Sequence, residues 1–152
     1  MDHRQLIHKV DTAWLAFKNS FDGLTEAQME EPGVAGGWSV RDIIAHVTAW
    51  EGEALKYLPY ILRAERLPRY SDMYGGIDAF NNQVVAEKRA LPLVDVLTGF
   101  EETHRRLLKY VQSVPEEHIT TETRFRRRLR FDTYRHYAEH TEMIQNWRGR
   151  QV

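Results

Sequence analysis

Apolar residues recur every three or four positions along most of this 152-residue chain. That spacing commits it to helices with one buried stripe each and leaves no convincing strand pattern. Ile7, Val10, Trp14, Phe17 and Phe21 mark a first helix from Asp2 or His3 to about Asp22, ended by Gly23. Thr25 to Gln28 has the pattern of a short capped turn, and residues 31–37 form a Pro- and Gly-rich loop. Ser39 and Asp42 then open a second helix as Ser-x-x-Asp, with Val40, Ile43, Val47, Ala54 and Leu58 as its stripe. It is predicted to run to about Tyr57, where Pro59 marks a kink or stop.

Residues 63–76 are polar and broken by Pro68, Gly75 and Gly76, a connection long enough for a lid or binding surface. A third helix is expected from Ile77 to about Ala90, with Phe80, Val84 and Lys88 on one face. Pro92 fits the first turn of the next, whose stripe of Leu93, Val96, Leu97, Phe100, Leu107, Leu108 and Val111 reaches about Ser113. The run from Arg124 to Phe131, if extended, puts Arg124, Arg126, Arg128 and Arg130 on one side. It reads either as a basic strip for phosphate or carboxylate or as a solvated face pairing with nearby Glu. Asp132 would cap the last helix. The expected fold is all-α, a bundle of four long helices in one domain over residues 1–152.

Hydrophobic residues make up 42% and charged ones 28%, with a net charge of -1. Near-neutrality gives no global pull towards nucleic acid or anionic lipid, so neither is expected as a partner. There is no cysteine, which excludes disulfides, thiolate metal ligands and a cysteine nucleophile. With no apolar signal core and no span-length segment, a cytoplasmic location is the expectation.

The residues with chemistry are histidines. His136 and His140 stand four apart in a stretch without Gly or Pro, so on a helix they project from one face. Two imidazoles so placed suit one divalent ion, and they are equally compatible with an ordinary helix surface. A third ligand decides between these. His46 lies in the second turn of its helix beside Ile43 and Trp50, with Trp38 placed like a staple residue over the same end. His104 falls on its own helix's apolar stripe and is the rival. The set narrows to His46, His136 and His140, from two helices, leaving an open position as catalytic zinc sites do. His136 to His140 also fits His-x-x-Glu-His, but that pattern needs a ligand well downstream and only twelve residues follow. Glu139 is therefore expected on the solvated surface. Asp42, one turn before His46, is expected to cap, with a reach to the second nitrogen of His46 as the alternative.

The run from Gly37 through Trp38, Ser39, Asp42 and His46 to Glu51, followed by His136-x3-His140 and Trp147, resembles the DinB/YfiT-like superfamily, closest to its ClbS/DfsB branch. The resemblance implies a four-helix bundle of metalloenzyme type whose one ion is held by a histidine of the second helix and two of the last. These map onto His46, His136 and His140. It implies a divalent metal (Zn, Ni, Fe or Mn), with a low-molecular-weight thiol as co-substrate in some members. The function it suggests is a metal-dependent hydrolase or thiol transferase acting on small electrophiles, in stress, detoxification or toxin self-resistance. The alternative is a bundle that binds or sequesters a small molecule or metal without turnover. Homodimers are common in such families, and a small-molecule substrate is the expected partner. No catalytic residue beyond the ligand set is assigned.

Overall fold

The computed structural model describes residues 1–151; Val152, the last residue of the expected domain, lies outside them. Every regular element among the described residues is helical, apart from one isolated bridge between Ala35 and Trp38. The long helices are α1 (His3–Ser20), α3 (Val40–Leu62), α6 (Leu93–Ser113) and α8 (Tyr134–Arg150). Shorter ones are α2 (Glu26–Glu30), α4 (Tyr70–Met73), α5 (Ile77–Lys88) and α7 (Arg124–Asp132), with a 3-10 turn at Glu116–His118. None of the described helices is long and apolar enough to cross a membrane.

Local chemistry sets the boundaries. Asp2, Thr25 and Ser39 each cap a helix and receive the side chain three residues on in return, so three capping boxes fix the starts of α1, α2 and α3. Gly23, at φ 79°, takes the left-handed turn after α1 that a residue with a Cβ would resist. Leu6, Val10, Trp14 and Phe17 of α1 pack on α8 and α6, while α3 packs on α6, α7 and α8. The core runs between them, with Ile43, Phe100, Leu107, Tyr137 and Ile144 essentially excluded from water. Burying each such side chain is worth roughly 1.5–3 kcal/mol.

Four local expectations are corrected. Helix α3 does not stop near Tyr57 but continues through Pro59 to Leu62. Tyr57 and Leu58 are buried, so tertiary packing outweighs the one backbone bond that proline forfeits. The buried residue of α5 beside Phe80 is Val85, one position from the expected Val84. The Arg124–Phe131 run is not extended: Thr123 caps it, and Phe125, Leu129 and Asp132 point inward at helical spacing. Asp132 does not cap the last helix either. It is the final residue of α7, 1% exposed, and Thr133 (φ -125°, ψ -105°) forms the bend into α8 while donating its hydroxyl to Leu129 O at 2.5 Å.

Candidate metal centre

Three imidazoles meet where α3 faces the first turns of α8. His136 Nε2 lies 2.9 Å from His46 Nε2 and 3.1 Å from His140 Nε2. The three rings meet edge to face, with centroids 4.6 to 4.9 Å apart. Sequence placed each of them. His136 and His140 are one turn apart on α8, and the Ser39 box starts α3 so that His46 falls in its second turn. Trp38 packs on the His46 ring at 4.9 Å between centroids, held by the short bridge to Ala35. His46, His136 and His140 form a group of nitrogen donors close enough to share one ion.

Electrostatics favour the neutral, ligating form. Burial is the main cause in each case, driving His46 down to about 3 and His140 to about 4, and His136 downward as well. A charge on His140 would also repel His46 and His136. Neutral imidazoles with Nε2 atoms this close leave more lone pairs facing inward than ring protons can bridge, since His136 Nε2 can either donate or accept but not both. A divalent cation satisfies all three at once. For ligands about 2.0–2.1 Å from an ion, neighbouring nitrogens stand about 2.9 Å apart in an octahedron and about 3.3 Å in a tetrahedron. The observed spacings fall between, so the residues fit such an ion. The three Nδ1 atoms are buried and have no protein partner.

The low proton affinities have a measurable consequence in metal-stripped protein. The unfolded chain takes up these protons near the ordinary histidine value of 6.5, whereas the folded chain refuses them until about 4 or below. The stabilisation is therefore complete above pH 6.5 and drains as the pH falls towards 4. Asp132 and Glu51 act with the opposite sign, because burial raises both. Three histidines outweigh them, so the urea midpoint should fall between pH 7 and pH 5. A His46→Leu variant should show a shallower fall, and equal slopes would contradict the assignment.

A cleft of about 250 Å³ opens beside the rings, lined among others by Trp50, Ile77, Asn81, Phe131 and Asp132. Trp50 donates its indole N–H to Asn81 Oδ1 at 2.8 Å. Asp132 is held on one oxygen by Arg128 Nε at 2.6 Å, and Arg128 is steadied by the Tyr70 hydroxyl at 3.0 Å. Burial pushes the Asp132 carboxyl up to about 6 against the pull of Arg128. Nothing in the sequence separated Asp132 from an ordinary cap, so its place at the cleft was missed.

His104 and Asp42 lie elsewhere, whereas Glu139 lines the cleft without joining the triad. His104 is buried between α1 and α3, stacked on Trp14 at 4.0 Å with its Nε2 3.0 Å from Asp11 Oδ1. It does not join the triad. Asp42 caps α3 and receives Arg89 on both oxygens, so it does not reach His46 Nδ1. Glu139 is half exposed beside Arg135, as expected. Two of the five arginines of α7 are committed: Arg128 to Asp132, and Arg130 to Glu122 and the Tyr134 hydroxyl.

The model of the DinB superfamily matches residues 9–143. No curated protein matches the chain in sequence. Several solved structures share its fold. DfsB, described as a sibling lethal factor precursor, has a TM-score of 0.83 at 16% identity, over 99% of this chain and 97% of its own. The colibactin self-resistance protein ClbS has a TM-score of 0.80 at 12% identity, over 95% and 94%. A protein from Streptococcus pneumoniae has a TM-score of 0.80 at 13% identity, over 98% and 91%. ClbS was crystallised in complex with a dsDNA. That corrects the expectation, drawn from the net charge of -1, that nucleic acid is excluded as a partner. Phosphate contact depends on local positive charge and not on the sum over the chain, and Arg124 and Arg127 are exposed on α7.

Proposed function

This chain belongs to the DinB superfamily, and we propose that it is a four-helix-bundle metalloenzyme acting on small electrophilic molecules as a hydrolase or thiol transferase. The observation that carries this reading is the convergence of His46, His136 and His140 Nε2 at the edge of a cleft. Three protein ligands leave a divalent ion open to a further one, and an ion so held lowers the proton affinity of a water or thiol and polarises a bound oxygen or sulfur. Three imidazoles suit Zn, Ni, Fe or Mn. The chain's own residues supply the rest. Trp50, Ile77 and Phe131 give apolar walls that hold a small molecule and exclude water, and Trp38 packs on the ring of His46. A role in toxin self-resistance is supported by the fold shared with ClbS.

The test is turnover. Protein purified without an affinity tag, reloaded with one metal at a time, is offered an epoxide or a chloronitroarene with and without cysteine or glutathione. Loss of the electrophile should exceed that of a His136→Ala control by at least about tenfold with one of the metals. Metal binding without such an excess would replace this reading by a binding or sequestering role. A second reading, in which the electrophile is met on duplex DNA, is favoured by the ClbS complex. Steeply salt-dependent binding of a short duplex, weakened by charge removal at Arg124 and Arg127, would support it.

A further inference from the structure

We propose that the cleft beside the histidines recognises a carboxamide-like group, whose N–H is donated to Asp132 Oδ1 and whose carbonyl accepts from Asn81 Nδ2. The inference rests on the reading of this cleft as the substrate site and specifies the class of molecule it takes. Asp132 is 1% exposed, yet its Oδ1 has no hydrogen-bond partner. Leaving such an acceptor buried and unpaired costs roughly 1–3 kcal/mol. The other oxygen is fixed by Arg128, itself tied to Tyr70, so the carboxylate cannot rotate to relieve the orphan without breaking an ion pair.

Asn81 complements it. The indole of Trp50 is a donor only, so the Asn81 atom that faces it must be the oxygen, and the amide nitrogen is left as the free end. One lining residue thus offers a fixed acceptor and another a fixed donor, the two demands an amide makes. Ile77 and Phe131 line the same cleft while 49% and 58% exposed, an apolar rim for the body of the ligand. At about 250 Å³ the space falls below the roughly 300–1,000 Å³ typical for drug-sized molecules, so the ligand is small.

The test uses metal-stripped full-length protein at pH 8 and two probes, N-methylbenzamide and N,N-dimethylbenzamide, which differ by one N–H. Dissociation constants come from NMR shift titrations. Wild-type protein should bind the first at least about tenfold tighter than the second. In Asp132→Asn, Arg128 still demands an oxygen, so an N–H replaces the free acceptor and the preference should vanish. Asn81→Asp replaces the free donor by an acceptor and should weaken both probes. Equal affinities in the wild type, binding of neither probe, or a preference that survives in Asp132→Asn would overturn the proposal. Asn81→Asp and the wild-type comparison decide it if Asp132→Asn fails to fold. Metal content, measured separately, reports on the histidines alone, so failure here and failure of the metalloenzyme reading are told apart.

Discussion

Replacing His140 with Ala should reduce the metal content of tag-free protein from about one ion per chain to near zero, with the far-UV helix signal almost unchanged. His136 is the central member, with the other two Nε2 atoms 2.9 and 3.1 Å away. Without His140, His46 and His136 remain as a pair from two different helices, and the one-turn chelate along α8 is gone. The loss should exceed the roughly 10–100-fold cost of removing an outer-shell partner, because a first ligand is deleted outright. Folding should survive, since α8 remains anchored through Tyr137, Ile144 and Trp147. The readout is metal analysis after purification without chelator, beside circular dichroism. Full stoichiometry in His140→Ala would refute the ligand assignment.

How much of this was legible in the sequence follows from which signals are local. Capping boxes at Thr25 and Ser39 involve residues three apart, and both were read and are present. The α1 and α6 stripes are local as well: Val10, Trp14, Phe17, Val96, Phe100, Leu107 and Val111 are buried at the 3.6-residue period, while Ile7, Leu93, Leu97 and Leu108 are half-buried at its edge. The Arg124–Phe131 run failed because arginines at alternate positions mimic a strand, while its helical signal, Phe125 and Leu129 with Asp132, is sparse. The continuation of α3 past Pro59 was hidden because packing against other helices, not propensity, decides it.

The candidate site shows the same division. The His136–His140 spacing is a property of one helix and could be seen directly. That His46 meets them is a property of the fold, reached through resemblance to a family and not through any spacing. Asp132 as a cleft residue had no signal at all, because its significance comes from Arg128 one turn earlier and from a neighbour as distant in sequence as Tyr70. Net charge misled for a related reason. A sum over the chain carries no information about where the exposed arginines lie.

Glu51 ends the run that carries the family resemblance, yet nothing local in the sequence marks what this one of 22 acidic side chains does. It is 0% exposed at the centre of the fold, accepts the Tyr137 hydroxyl of α8, and stands with Oε1 3.5 Å from His104 Nδ1 of α6. Burial raises its carboxyl against the opposing influence of His104 and Tyr137. His104 in turn stacks on Trp14 and reaches Asp11, both of α1. One polar network therefore ties the four long helices together, each through a single side chain or two.

Replacing His104 with Ala should therefore destabilise the protein by about 3 kcal/mol, from the cavity left against Trp14 and the loss of the imidazole facing a buried carboxyl. For a chain of this size that is a fall in Tm on the order of 10 °C. Metal content should stay at the wild-type level, because His104 contributes no nitrogen to the triad. Adding Glu51→Gln to His104→Ala should recover part of the loss, since a neutral amide relieves the burial of an unpaired carboxyl. The measurements are thermal unfolding and metal analysis on the same samples. A His104→Ala protein that keeps its stability but loses its ion would reverse the roles assigned to His104 and the triad, since burial between Trp14 and Glu51 would then be serving a ligand and not the core.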